Sequence, residues 1–305
     1  MSGSNLSSSP AEIYPGLQLL VCKQADTELL PGSELCLGAL VPASEEKPFH
    51  FWVDGQGNET LLFYRQAEKF VLVSNNLDYF VLDLTLPALT VVASRTTPSA
   101  KLDHLIRDQL LPLILSGLGN FILHASCVTH EELGTIAFVG KSGVGKSTLA
   151  SYFCSRGFSP VADDALQVYL GEAVCRPHVK ALNRVSFRLW ADSYRAIYGS
   201  SEADLANNIK YDVQLTGISE DSDLLRLDRL FLLHSAADDS RSKIISLLES
   251  SFILDVSTPS AVKRNFSQVS KLAQDAPVER LCYVRDLSQL EMVYSEIVDR
   301  LGKSG

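Results

Sequence analysis

Between residues 17 and 92 the apolar positions fall into short runs, each cut by turn residues after a handful of positions. Runs of this length, rich in Val, Leu, Phe and Tyr, predict strands at 17–23, 49–53, 60–64, 70–74 and 79–84. Asp54-Gly55 and Gly57-Asn58 mark a hairpin turn between two of them. The aromatic residues of this stretch, Phe49, Phe51, Trp52, Phe63 and Tyr64, are expected to fill its core. Closely spaced strands without long helical patterns describe a small β-rich unit covering residues 1–98.

The pattern changes at Thr96-Thr97-Pro98-Ser99. Beyond it Leu102, Leu105, Ile106, Leu110 and Leu113 recur at helical spacing, with Ser99 as the expected cap and Gly117 and Gly119 as the stop. A strand at 121–128, a turn at 131–134, a buried strand at 135–139, a helix at 147–156 closed by Gly157 and a strand at 159–162 follow. Farther on, 179–189 is apolar–basic, 190–198 is helical, and 200–223 is polar and turn-rich. Helical spacing returns at 242–249, 258–274 and 287–301, with strands at 230–234 and 280–284. Strands and helices in alternation make residues 99–305 an α/β domain.

Composition narrows the class. Of 305 residues, 46% are apolar and 21% charged, which supplies ample core for a globular protein. A formal net charge of −9 argues against a general nucleic-acid binder, which carries a basic footprint, and leaves room for a local basic pocket. Cys22, Cys36, Cys127, Cys154, Cys175 and Cys282 are scattered without metal-ligand spacing, as reduced thiols of a cytosolic protein are. The first ten residues are Ser-rich, lack the basic and apolar regions of a signal peptide, and are expected to be disordered. The apolar stretch 110–118 is broken by Pro112 and Gly117 and is far shorter than the ~20 residues that span a bilayer. The expectation is a cytoplasmic protein without a membrane partner.

Between the strand at 135–139 and the helix at 147–156 stands Gly140-Lys141-Ser142-Gly143-Val144-Gly145-Lys146-Ser147, followed by Thr148. This is a complete G-x-x-x-x-G-K-S loop (the Walker A pattern) in the strand–loop–helix frame it requires. Successive backbone N–H groups of such a loop wrap a phosphate chain at the positive end of a helix. Lys146 is placed to reach the outer phosphates, and the Ser147 hydroxyl to hold Mg²⁺.

Asp163-Asp164 ends the next strand. A nucleotide enzyme that uses Mg²⁺ needs a carboxylate near the loop for the metal, and a group that orients or deprotonates the nucleophile. Adjacent carboxylates push one pKa upward, which suits a division of these tasks. An Asx turn capping the next segment is the plainer reading of the pair. His124 lies in an otherwise apolar run; beside the loop strand it would donate to a transferring phosphoryl group or assist a carboxylate base.

Several of these features occur together in one family. His124-Ala125-Ser126, sixteen residues ahead of Gly140, then the loop, then Arg156-Gly157-Phe158 and Val161-Ala162-Asp163-Asp164, resembles the catalytic domain of bacterial HPr kinase/phosphorylase. Lys146 precedes Asp163 by seventeen residues, the spacing of that family. The resemblance covers residues 100–170 and implies a P-loop kinase domain of the HPr kinase and phosphoenolpyruvate carboxykinase-like type, here behind a β-rich N-terminal unit. It implies ATP- and Mg²⁺-dependent phosphorylation of a hydroxyl. Asp163 would be the base, Asp164 and Ser147 would hold Mg²⁺, Lys146 would bind the outer phosphates, and His124 would sit beside the reacting phosphate. HPr kinases are hexamers, so a homo-oligomer also comes into view.

The chain departs from that family at three places. Ala125 replaces a glycine, Thr148 stands where the family often has Glu, and the later acidic–Ile–Arg–Gly segment has no counterpart. Residues 181–190 lie nearby without a carboxylate, although Lys180, Arg184, Arg188 and Lys210 offer positive charge, Arg184 and Arg188 being the secondary site candidates. The expected partners are a nucleoside triphosphate and a hydroxyl of a peptide, protein or small molecule. The alternative is a nucleotide-binding regulatory module with weak or no phosphotransfer.

Overall fold

In this computed structural model residues 11–23, 47–53, 57–66, 69–74, 78–86, 88–94, 96–171, 176–182, 185, 187–199, 210–213, 224–234, 242–282 and 286–302 are described. The expected disorder of the first ten residues, the Asp54-Gly55 half of the hairpin turn, Arg184 and most of 200–223 lie outside them. The chain is mixed α/β and divides into two compact units, Met1–Gln109 and Leu110–Gly305.

The first unit is one seven-stranded sheet. Strands β1 (Ala11–Tyr14), β2 (Leu17–Lys23), β3 (His50–Val53), β4 (Glu59–Gln66), β5 (Lys69–Ser74), β6 (Tyr79–Asp83) and β7 (Ala88–Ala93) lie in the order β1-β2-β7-β6-β5-β4-β3. β3 to β7 form an antiparallel meander, and β2 joins β7 in parallel. The sequence reading lacked β1, too short to show a period, and β7, an apolar run without alternation. Phe63 and Tyr64 are buried as expected, but Phe51 is half exposed. It lies on β3, an edge strand of the sheet, where a side chain has a neighbouring strand on one side only.

Asp78 fixes the end of this unit. Its buried carboxylate accepts from Ser74 Oγ at 3.0 Å, from the Ser94 N–H at 2.7 Å and from Thr97 Oγ1 at 2.9 Å. The helix α1 (Ser99–His104) follows directly. Ser99 is its first residue and not its cap: Pro98 holds the cap position in extended backbone, and no side chain caps the end. One π-helical turn (Leu105–Leu110) leads into α2 (Leu111–Gly117). Pro112, which has no N–H and crowds the preceding turn, explains the widened ladder there. Leu102, Leu105 and Gln109 line a cavity with Trp52, Leu61 and Asp78. The units therefore part at Gln109/Leu110, whereas the sequence pattern places the boundary at 98/99.

The second unit is built on a sheet of β8 (Phe121–Leu123), β9 (Ala125–His130), β10 (Gly134–Val139), β11 (Ser159–Ala162), β12 (Leu166–Tyr169), β13 (His178–Ala181), β16 (Leu225–His234) and β17 (Val278–Cys282). Their order is β11-β9-β10-β16-β13-β12-β8, and β17 also pairs with β16. A separate ribbon joins β14 (Arg188–Trp190) to β15 (Lys210–Asp212). The helices are α3 (Lys146–Ser155), α4 (Ala191–Tyr198), α5 (Lys243–Glu249), α6 (Pro259–Asp275) and α7 (Leu290–Gly302).

Period-two alternation divides the central strands between two cores. Ile136, Phe138 and Phe231 face Leu149, Ala150 and Phe153 of α3 and Leu290, Val293 and Ile297 of α7. Ala137, Val139, Leu230 and Leu232 face the opposite way, toward Leu123, Leu166 and Val179 and toward Leu247, Val269 and Leu272 of α5 and α6. Burial on both faces is why 135–139 and 230–234 read as unbroken apolar runs.

The expected single strand at 121–128 is two strands broken at His124. β8 pairs with β12, whereas β9 pairs with β10 and β11. The other chain breaks at the same level: Ala162 lies opposite Cys127 and Leu166 opposite Leu123. Between those pairs His124, Ala125 and Ser126 confront Asp163, Asp164 and Ala165. Two strand pairs thus change partners side by side, and the polar residues of the sequence motif occupy the gap.

Candidate functional site

The glycine-rich loop 140–147 follows β10 without an intervening residue. Gly140 is required by close approach, since a Cβ there would stand 2.7 Å from the Leu233 carbonyl oxygen and 3.1 Å from Val144 Cγ1. Gly143 and Gly145 hold φ of +80° and +104°, the left-handed region that an L side chain resists. Gly145 caps α3 through its backbone alone, leaving the first-turn N–H groups of that helix without a side-chain cap. The helix begins one residue earlier than its sequence pattern, at Lys146.

Lys146 is 5% exposed, and its ammonium donates to the carbonyls of Gly140 at 2.9 Å and Lys141 at 3.2 Å. The side chain therefore lies back along the loop, with its charge at the loop's first residues. Burial pushes its pKa down to about 8, while Asp164 and Asp163 pull the other way and Lys210 adds to the depression. Thr148 is buried, and its hydroxyl reaches Ser193 of α4 at 3.4 Å. Lys141, Ser142 and Gly143 are exposed, with Val144 half-buried.

Asp163 collects the hydroxyls. Ser147 Oγ donates to Asp163 Oδ1 at 3.0 Å, and Ser126 Oγ donates to the same oxygen at 2.5 Å. Its backbone carbonyl accepts the Ala165 N–H at 2.7 Å, which closes the turn between β11 and β12. Burial first, and the neighbouring Asp164 carboxylate second, push the Asp163 carboxyl up to about 7 against the pull of the two hydroxyls. Asp164 lies in the left-handed region at φ 62°. His124 Nε2 lies 3.6 Å from its Oδ1, and the His124 side chain holds Asp164 below the usual carboxylate range.

His124 is anchored by its backbone, which donates to the Ser250 carbonyl at 2.7 Å, and its ring centroid is 6.1 Å from that of Phe252. The loop, Asp163, Asp164 and His124 are therefore brought together. The pairing within the group is more specific than residue types could tell: the Ser147 hydroxyl turns to Asp163, and Asp164 pairs with His124. Ser126, fully buried, had no assigned role in the sequence reading. Its signal is its position two residues after His124, on the same side of an extended chain.

The basic candidates separate. Arg188 on β14 is drawn to Asp212 at 3.4 Å. Lys210 stands over the Trp190 ring at 5.5 Å, and its charge reaches both Lys146 and Asp164. Lys180 lies on β13 opposite Gln167. Cys127, Cys154 and Cys282 carry free thiols. Among the described residues no three His, Cys, Asp or Glu side chains gather as a metal cage, and no helix is long and apolar enough to cross a membrane.

No protein-family model matches the chain, and no curated protein matches it. Among solved structures, the chain is similar to the HPr(Ser) kinase/phosphatase from Coxiella burnetii, at 13% identity and a TM-score of 0.25. That comparison covers 50% of this chain and 92% of the other.

Proposed function

We propose that the chain is an HPr-kinase-like phosphotransferase that uses ATP and Mg²⁺ to phosphorylate a serine or other hydroxyl of a peptide, protein or small molecule. One observation carries this reading: the loop hydroxyl of Ser147 and the strand hydroxyl of Ser126 converge on Asp163, a carboxylate held near neutral pKa beside the phosphate loop. A structural carboxylate is ordinarily ionised well below pH 7, whereas a base that must accept a proton near neutrality benefits from this shift.

The residues fit Mg²⁺. It takes oxygen ligands, keeps several waters, and binds through one or two carboxylates plus substrate phosphates, so the absence of a closed cage among the described residues does not count against it. Ser147 and Asp164 would hold it, Asp164 being the carboxylate kept ionised. When bound, the ion neutralises charge on the phosphate oxygens.

The chain's own residues do the remainder. The loop N–H groups of 140–148 orient the phosphates, and Lys146 places a positive charge at their outer end. Asp163 takes the proton of the acceptor hydroxyl as that oxygen bonds to the γ-phosphorus and the bond to the β–γ bridging oxygen breaks. Ser126 fixes the carboxylate's orientation, and His124 sets Asp164. Arg184 and Arg188 stay in reserve as cations for the phosphate side of the site; Lys210 has its charge within reach of Asp164, whereas Arg188 is drawn to Asp212. The reading also expects a cytoplasmic protein with no nucleic-acid or membrane partner, and a homo-oligomer is compatible with it.

The test is incubation with γ-labelled ATP, Mg²⁺ and a panel of acceptors comprising serine peptides and small alcohols. Acceptor-dependent label transfer supports the kinase. Tight nucleotide binding with no transfer across the panel selects the regulatory module instead.

A further inference from the structure

We propose that a cavity on the other flank of the phosphate loop receives the base and ribose of the nucleotide, and so governs which nucleoside triphosphate the protein accepts. This rests on the nucleotide-binding reading above.

The sheet order is the main argument. Asp163 follows β11 and Ser126 lies on β9, both on one side of β10, while β16 and β17 lie on the other. The loop leaves the end of β10 between these flanks. A triphosphate cradled by the loop with its reacting end toward Asp163 must direct its nucleoside end away from it, toward β16 and β17. A cavity of about 290 Å³ lies on that flank. It is lined by Val139 and Val144 of the loop segment, by Leu232 and Leu233 of β16, and by Ser246 and Arg280.

Three further features agree. β10, β16 and β17 are mutually parallel, and ligands of open α/β sheets lie outside the carboxyl ends of such strands. Aliphatic walls with a few polar groups suit a flat base carrying a hydroxylated sugar, and pockets of roughly 300 Å³ are at the small end of ligand sites, too small for a folded acceptor. The cavity also reaches Ser250, whose carbonyl accepts the His124 N–H at 2.7 Å, so cavity and reacting groups are immediate neighbours.

The experiment compares Mg-ATP with Mg-tripolyphosphate, which has the phosphate chain and no nucleoside. Ser246 of α5 is the probe position, because among the described residues its hydroxyl makes only a local bond, to the Ser242 carbonyl at 3.3 Å. Ser246→Phe, which fills the cavity, is expected to weaken ATP binding at least tenfold and to leave tripolyphosphate binding within twofold of wild type. Ser246→Cys, nearly isosteric, covers the case in which the Phe variant does not fold. Labelling of the new thiol, followed by peptide mass spectrometry, should be blocked by ATP and not by tripolyphosphate. Equal labelling with both ligands, or ATP affinity unchanged in Ser246→Phe, overturns the assignment; loss of acceptor turnover at unchanged ATP affinity would make the cavity the acceptor's. If wild type binds neither compound, the nucleotide reading itself has failed.

Discussion

Ser126 Oγ donates to Asp163 Oδ1 at 2.5 Å across thirty-seven residues of chain. The contact exists because β8–β9 and β11–β12 break opposite one another: Ser126 keeps Phe138 of β10 as its ladder partner, and on its other edge Asp163 lies just beyond the last β11 pair, Ala162 with Cys127. Ser147 at the start of α3 then reaches the same oxygen. Both hydroxyls bind Oδ1, and together they commit the carboxylate to one orientation.

Removing the strand hydroxyl should loosen that commitment. A hydrogen bond to a charged group contributes about 1.5–3 kcal/mol, which at 1.36 kcal/mol per factor of ten corresponds to roughly a ten- to hundredfold loss in rate. Ser126→Ala is expected to lower kcat by that amount with the KM for ATP little changed, and Ser126→Thr to recover most of it. Steady-state kinetics of acceptor phosphorylation check this. An equal rise in KM alone would show that Ser126 serves binding and not the carboxylate.

Asp163→Asn should reduce transfer by about 10²–10⁴-fold, the usual contribution of a positioned base, while nucleotide binding stays within a few-fold of wild type. The same variant carries a stability signature. Because the folded protein holds the Asp163 proton above its ordinary 3.8, the stability tied to that proton is complete below about pH 4 and is lost as the pH rises through about 7. Asparagine has no charge to bury. Thermal melts should therefore show Asp163→Asn more stable than wild type at about pH 8, by ~0.5–2 kcal/mol, with the advantage fading toward about pH 5. A constant difference across this range would show that Asp163 is not raised.

Lys146 gives a calorimetric prediction. Burial holds its free-state pKa down at about 8, and phosphate oxygens beside it would favour the charged form. Binding Mg-ATP at about pH 8.5 should then take up a proton, seen as a binding enthalpy that varies with the ionisation enthalpy of the buffer. At about pH 6.5 the ammonium is already charged, and its share of the uptake should vanish. Lys146→Met should abolish the difference between the two conditions.

Gly140→Ala tests the packing of the loop against β16. The added carbon would meet the Leu233 carbonyl at 2.7 Å, and backbone has little room to yield. Overpacking of this kind costs about 1–3 kcal/mol. A lowered Tm together with weakened ATP binding is the expected result. Unchanged values for both would mean that the loop does not pack as described.

Most of the elements of the second unit were legible because burial on one face leaves a period in the sequence and burial on both faces leaves an unbroken apolar run. α6 and α7 carry the period plainly, and the buried strands β10 and β16 carry the run. The short strands β12 and β15 do not, since four residues or fewer show no repeat and their strand state comes from partners far along the chain. Ser99 misled for a local reason: a serine before a helix is a good cap, but Pro98 already holds the extended position.

By itself the sequence determined the glycine-rich loop and its strand–helix frame, because a loop whose backbone must pass through positive φ and close contact admits few residues, and Gly140, Gly143 and Gly145 record that constraint in one dimension. It also placed the double Asp at the end of an apolar run and His124 within one. Only the tertiary structure decided which carboxylate meets which hydroxyl. That choice depends on the partner exchange of strands at His124 and Asp163-Asp164, on the left-handed turn at Asp164, and on a sheet order that sets Ser126 and Asp163 on one flank of β10 and a cavity on the other. Pairings between residues dozens of positions apart arise from packing of the whole sheet, which leaves no local period to be read.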